Sequence, residues 1–81
     1  MNNEKQKENK TTIILYCLTC LLEYGFIYPE QIKEKFNISN RTIYRYISEI
    51  KEMFSKYGFD NLEIKYENFF QSNTYRCFKN K

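Results

Sequence analysis

Between Gln31 and Phe54 the chain reads QIKEKFNISNRTIYRYISEIKEMF, a stretch that leaves few folds open. Apolar residues recur at helical spacing on both sides of a break at Asn37-Ile38-Ser39. Asn tolerates the left-handed backbone in which helices often end, so Asn37 closes a short first segment. Ser39 is placed to open a longer one, because its hydroxyl can accept a hydrogen bond from a free backbone N–H of the first turn. The pattern predicts a short helix, a tight turn and a longer helix.

The longer helix sorts cleanly by angle. With Arg41 at about 0° and 100° per residue, Ile43, Ile47, Ile50, Phe54 and Tyr57 fall between about 160° and 240°. Tyr44, Arg45 and Ser48 fall between about 300° and 40°, beside Arg41. One side is therefore core, and the other carries two arginines, a tyrosine and small hydroxyls. Such a helix suits a DNA major groove, where arginine bonds guanine edges and neighbouring side chains hold phosphates. For one helix alone the plain alternative is a solvated face; the preceding helix, the capped turn and a candidate hairpin downstream favour the groove.

The segment FNISNRTIYRYISEI resembles the helix-turn-helix of bacterial winged-helix transcriptional regulators, of the DeoR type and of HTH_11-like DNA-binding domains. The resemblance covers Thr11 to Phe54 well and the C-terminal hairpin loosely. Its most specific part is Ile38-Ser39-x-Arg41-Thr42-Ile43-Tyr44-Arg45, followed by Ile47. It implies a mainly α domain with a small β-hairpin: helices at about 11–24, 29–36 and 40–57, wing strands at about 62–67 and 74–79. It further implies sequence-specific binding of double-stranded DNA by a small non-catalytic regulator. Helix 40–57 would enter the major groove, and the wing would grip the backbone or minor groove. Arg41, Tyr44 and Arg45 are then the base-edge candidates, with Asn40 at the tip. Ser39 and Thr42 would hold phosphate, as would Lys65, Arg76 and Lys79 from the wing. The chain departs from the family pattern twice, with Lys33 in place of a small residue and Asn37 in place of glycine. Lys33 can lay its alkyl stem along the core and keep its charge in water.

The remaining segments fit around this centre. Residues 1–10, MNNEKQKENK, are polar and without apolar anchors, so they are expected to be a disordered tail. TTIILYCLTCLLEY, Thr11 to Tyr24, reads as a helix with Thr11 or Thr12 near its N-cap and Gly25 just past its end. Its stronger stripe, Ile14, Leu15, Leu18, Leu21 and Leu22, is expected to cover the two following helices. Ile13, Cys17, Cys20 and Tyr24 form a second strip, expected to meet a dimer partner or the C-terminal hairpin. Cys17 and Cys20 have the spacing of a redox or metal pair but lie mid-helix in an apolar run, where cysteine packs as a small hydrophobe. Phe26-Ile27-Tyr28 is a short extended piece, and Pro29 suits the first position of the next helix. LEIKY (62–66) and TYRCF (74–78) are strand candidates, with the turn at Glu67-Asn68 or at Ser72-Asn73. Phe69 and Phe70 cannot both face the core, so one is assigned to a dimer contact or to the first helix.

Charge placement agrees with a nucleic-acid partner. The net charge is +3: residues 1–40 balance five Lys against five Glu, and residues 41–81 carry eight Lys or Arg against five Asp or Glu. Lys, Asn, Ile, Tyr and Phe supply 43 of 81 residues, all with A/T-rich codons, which points to a low-G+C bacterium or its mobile elements. The N-terminus lacks the apolar stretch of a signal peptide, and the longest apolar run, Ile13 to Leu22, is ten residues, so the expected place is the cytoplasm. Three cysteines without histidine form neither a disulfide framework nor a zinc site, and no nucleophile–base pair stands out. No enzyme activity, metal, cofactor or membrane partner is expected. The chain ends just past the wing, so no small-molecule effector is expected, and a single recognition helix implies a homodimer. The alternative function is a winged-helix protein–protein assembly module that binds no DNA.

Overall fold

The computed structural model describes residues 9–69 and 71–80, with Phe69 described in its backbone alone. Three helices, α1 (Lys10–Glu23), α2 (Pro29–Phe36) and α3 (Asn40–Lys56), precede a hairpin of β2 (Leu62–Phe69) and β3 (Ser72–Lys79). A two-residue strand, β1 (Phe26–Ile27), joins the hairpin's other edge, giving an antiparallel sheet of order β1-β3-β2. Three helices and a small wing are the architecture that the resemblance implied.

Local chemistry sets each boundary. Asn9, not Thr11 or Thr12, caps α1: its Oδ1 accepts the Thr12 N–H at 2.9 Å. Lys10 is therefore helical rather than part of a tail, and the expectation for Met1 to Glu8 lies outside the described residues. Gly25 follows α1 at φ 88°, a conformation open to glycine without steric cost. Pro29 opens α2 with Glu30 in its first turn, where a carboxylate favours the positive end of the helix dipole. Asn37 ends α2 at φ 55°, ψ 53° and so takes the place of the family's glycine. Lys33, half-buried, keeps its stem against the protein and sets its amine 3.7 Å from Glu30. Ser39 Oγ accepts the Thr42 N–H at 3.1 Å and starts α3 as expected.

The core combines Ile43, Ile47, Ile50 and Phe54 of α3 with Ile32 of α2, Ile27 of β1 and Ile64 and Tyr75 of the hairpin. α1 contributes Ile13, Cys17 and Leu21, with Ile14, Leu18 and Cys20 half-buried beside them. The buried line therefore runs between the two expected stripes: it takes Leu21 from the first and Ile13 and Cys17 from the second, and leaves Leu15 55 %, Leu22 46 % and Tyr24 69 % exposed. A helix apolar on most sides has no internal signal that selects a face; the neighbours choose it. Tyr57 also leaves the core, at 66 % exposed, because α3 ends at Lys56 and Tyr57 caps it.

Hairpin register is explicit where the sequence left two choices. Phe69 pairs with Ser72, so the turn lies between them, with Gln71 at φ 65°. Neither Glu67-Asn68 nor Ser72-Asn73 is the turn; they pair within the strands, Glu67 with Thr74 and Asn68 with Asn73. Thr74, fully buried, donates its hydroxyl to the Glu67 and Ser72 carbonyls and ties the strands near that turn. The roles expected of the Phe69 and Phe70 side chains lie outside the described residues.

Candidate nucleic-acid interface

Burying four apolar side chains along one side of α3 forces its other side outward. Asn40, Arg41, Tyr44 and Arg45 are all exposed, Tyr44 by 60 %. Arg41 and Arg45 stand one turn apart, and neither takes part in an ion pair among the described residues. The nearest acid along this helix that is engaged, Glu49, is turned to Lys10 of α1 at 2.9 Å. Two free guanidinium groups, each a rigid fork of donors, therefore face solvent from one helix surface.

Ser39 and Thr42 are spent locally. Besides accepting the Thr42 N–H, Ser39 donates its hydroxyl to Thr42 Oγ1 at 3.1 Å. Ser39 thus fixes the start of α3, and Thr42 is the one of the pair whose proton remains available. Tyr44 is also tied to the sheet's surroundings: burial pushes the Tyr75 phenol up, and nearby Tyr66 and Tyr44 add to the shift. Tyr66 packs on Tyr75 with ring centroids 4.7 Å apart.

Of the wing cations, Arg76 is ion-paired and Lys65, among the described residues, is not. Lys65 and Arg76 stand opposite each other across β2 and β3. Arg76 donates to Glu67 at 2.6 Å and lies over the Phe78 ring at 4.8 Å. Its charge is matched by Glu67 within the sheet. Lys65 is exposed, with its amine 5.7 Å from the Phe78 ring centre and no ion pair among the described residues.

Between the helices and the wing lies a cleft of about 520 Å³, lined by Gln31, Asn40, Tyr66, Ser72 and Asn73 together with Tyr28, Pro29 and Glu30. Of these only Asn40 was a sequence candidate. Gln31, Tyr66, Ser72 and Asn73 gave no signal, because their approach depends on the hairpin register. A larger groove of about 650 Å³, between α1, β1 and α2, has Tyr16, Tyr24, Phe26 and Tyr28 among its lining and no arginine on its walls. Burial pushes the Cys17 thiol up to about 11, with Cys20 adding to the effect, so the pair that resembled a redox motif starts from an unreactive thiol.

A short helix, a turn in the left-handed conformation, a capped second helix with its arginines outward and a hairpin alongside are now in place. The family model for the HTH domain matches residues 14–65, more than half of the chain. The chain belongs to this family, HTH_11. The HTH match runs from within α1 through α2 and α3 into β2, so it spans the whole set of elements that present Arg41 and Arg45. It makes the chain a helix-turn-helix domain, which suggests DNA binding. No curated protein and no solved structure matches it. Among the described residues no helix is long and apolar enough to cross a membrane.

Proposed function

We propose that this HTH domain binds double-stranded DNA sequence-specifically as a non-catalytic transcriptional regulator of a bacterial cell or mobile element. The observation that carries the proposal is the pair of exposed, unpaired arginines on the outer face of α3. α3 enters the major groove, with Arg41, Tyr44 and Arg45 on base edges and Asn40 at the tip. Thr42 and the first-turn N–H groups that Ser39 orders meet phosphate. Lys65 is the stronger wing contact to the backbone or minor groove, because it is exposed while the charge of Arg76 is already matched by Glu67. The cleft beside Asn40 is lined by neutral hydrogen-bonding groups from α2 and the wing, Gln31, Ser72 and Asn73, with Glu30 also on its wall. A single α3 reads few base pairs, so two copies occupy a two-fold or tandem site.

Selection of bound sequences from random duplex DNA tests the proposal. The wild type is expected to enrich a short motif, with affinity that falls steeply as salt rises. Arg41→Ala and Arg45→Ala are expected to relax distinct positions of that motif. Enrichment of no motif at low salt, or the same motif from both variants, defeats it.

A further inference from the structure

β2 lies at one edge of the sheet, and among the described residues only β3 pairs with it. Backbone groups along an antiparallel strand point alternately to one neighbour and to the other. The Cys77 N–H donates to the Gly25 carbonyl, so Cys77 aims its groups at β1 and Arg76 aims its own at β2. Lys65, opposite Arg76, therefore bonds inward, as do Glu63 and Glu67. Ile64, Tyr66 and Asn68 send their N–H and C=O groups out of the free edge, where they meet no partner among the described residues. Leu62 is aimed outward too, and its N–H is taken by the Phe59 carbonyl. Glu63, Lys65 and Glu67 follow one another on one face of this strand, so the edge carries charges of alternating sign.

We propose that this edge pairs with the β2 edge of a second copy, antiparallel and centred on Ile64. Ile64 then faces Ile64, and the two exchange N–H and C=O bonds. Tyr66 faces Leu62, and its N–H reaches the Leu62 carbonyl. Glu63 of each copy faces Lys65 of the other, in the pairs between the bonded ones, where opposite side chains come closest. Both side chains are exposed and open to a partner: Lys65 has no ion pair among the described residues, and Glu63 accepts only the neutral Asn80 amide, at 3.1 Å. Other registers fit worse. Centring on Lys65 sets Lys65 against Lys65 and Glu63 against Glu67, like charges directly opposite. Centring on Tyr66 sets Lys65 against Glu67, whose carboxylate Arg76 already holds. The charge order thus selects a copy of this chain and one alignment of it. Assembly also closes at two, because the pairing uses the long edge of both copies and the opposite edge strand, β1, has two residues. The proposal stands apart from the DNA reading, although the two draw on one amine: in a chain paired through β2, Lys65 is matched by its partner.

Sedimentation equilibrium without DNA tests this. As the concentration approaches about 1 mM, the mass is expected to rise from one chain toward two. Glu63→Lys and Lys65→Glu each set like charges opposite one another, and each is expected to weaken association about tenfold or more. The double variant Glu63→Lys/Lys65→Glu restores opposite charges in the same alignment and is expected to associate like the wild type. An equal mixture of the two single variants is expected to do the same, since every facing pair is then opposite in sign. Circular dichroism should show all variants folded, because both side chains are exposed. A wild type at one-chain mass throughout overturns the proposal, and a mass that climbs past two overturns it as well. So do single variants that associate like the wild type, or a double variant that stays at one-chain mass.

Discussion

α1 and α3 share one core and differ in what their outer sides offer. α3 separates sharply into a buried side of Ile43, Ile47, Ile50 and Phe54 and an outer side with Arg41 and Arg45. α1 buries Ile13, Cys17 and Leu21 and still leaves Leu15 and Leu22 in water. An 81-residue chain cannot cover every side of an apolar helix, since small domains bury a limited share of their surface. The helix with excess apolar surface is therefore the one suited to a protein partner, and the helix with excess charge is the one suited to a polyanion.

Neighbouring leucines on α1 give the largest expected effect. Leu21 is 1 % exposed and Leu22 is its immediate neighbour on the open side. Leu21→Ala is expected to cost about 2–5 kcal/mol of folding stability, through lost transfer energy and an unfilled cavity. Leu22→Ala is expected to stay within about 0.5 kcal/mol, as for exposed sites. Urea unfolding at protein concentrations too low for pairing measures both. Equal losses would show that α1 has no preferred inner face and would break the contrast with α3.

On α3 the expected effect moves from stability to binding. Arg41→Ala or Arg45→Ala should weaken specific DNA binding by about 1–3 kcal/mol, while folding stability changes by no more than about 0.5 kcal/mol. Lys65→Ala should weaken binding evenly across sequences and lower the slope of log affinity against log salt by about one. Titrations at several salt concentrations distinguish these outcomes. Arg76→Ala giving a larger drop than Arg41→Ala would move the reading face from α3 to the wing.

The same contrast explains what the sequence could show. α3 was legible because isoleucines and arginines alternate at helical period, so its cap, direction and two faces follow from one rule. Asn37 was legible for a similar reason, since few residues accept a left-handed turn. α1 was not, because stripes only one residue apart along the chain were both apolar, and the choice between them is made by α2, α3 and the sheet. The wing was partly legible: Leu62 to Tyr66 alternates, but the turn was hidden. Its residues carry no Asn-Gly or similar signal, and Gln71 takes φ 65° without glycine's freedom. The engagement of Arg76 was hidden with it, because the reach to Glu67 depends on which residues face each other across the strands.

Helix starts provide a smaller and more balanced comparison. Ser39 caps α3 beside the packed turn, and Asn9 caps α1, whose first turn, Lys10 to Thr12, is exposed. Ser39→Ala should cost about 1 kcal/mol of folding stability, within the ~0.5–2 kcal/mol span of N-cap losses. Asn9→Ala should fall at the low end of that span, because an exposed first turn can open locally without unfolding the domain. Denaturant midpoints compare the two, and an Asn9 loss as large as that of Ser39 would mean that the first turn of α1 is as firmly built as that of α3.

Alkaline pH should reveal the smallest difference, and only at its onset. The buried side of α3 holds no titrating group, whereas that of α1 holds Cys17. The thiol loses its proton near 9.0 when free, and burial pushes it up to about 11 in the fold. Between those values the unfolded chain has released the proton and the folded chain keeps it. Stability from this group is therefore fully present below pH 9 and falls as pH rises toward 11. Tyr75 and Cys77 are shifted upward as well and add their own alkaline loss. Unfolding midpoints should be level up to about pH 8.5 and begin to drop just above pH 9. Cys17→Val, close in size and unable to ionise, should make the drop shallower without removing it. If Cys17→Val leaves the slope unchanged, the alkaline loss belongs to the sheet, and the inner side of α1 is as indifferent to pH as that of α3.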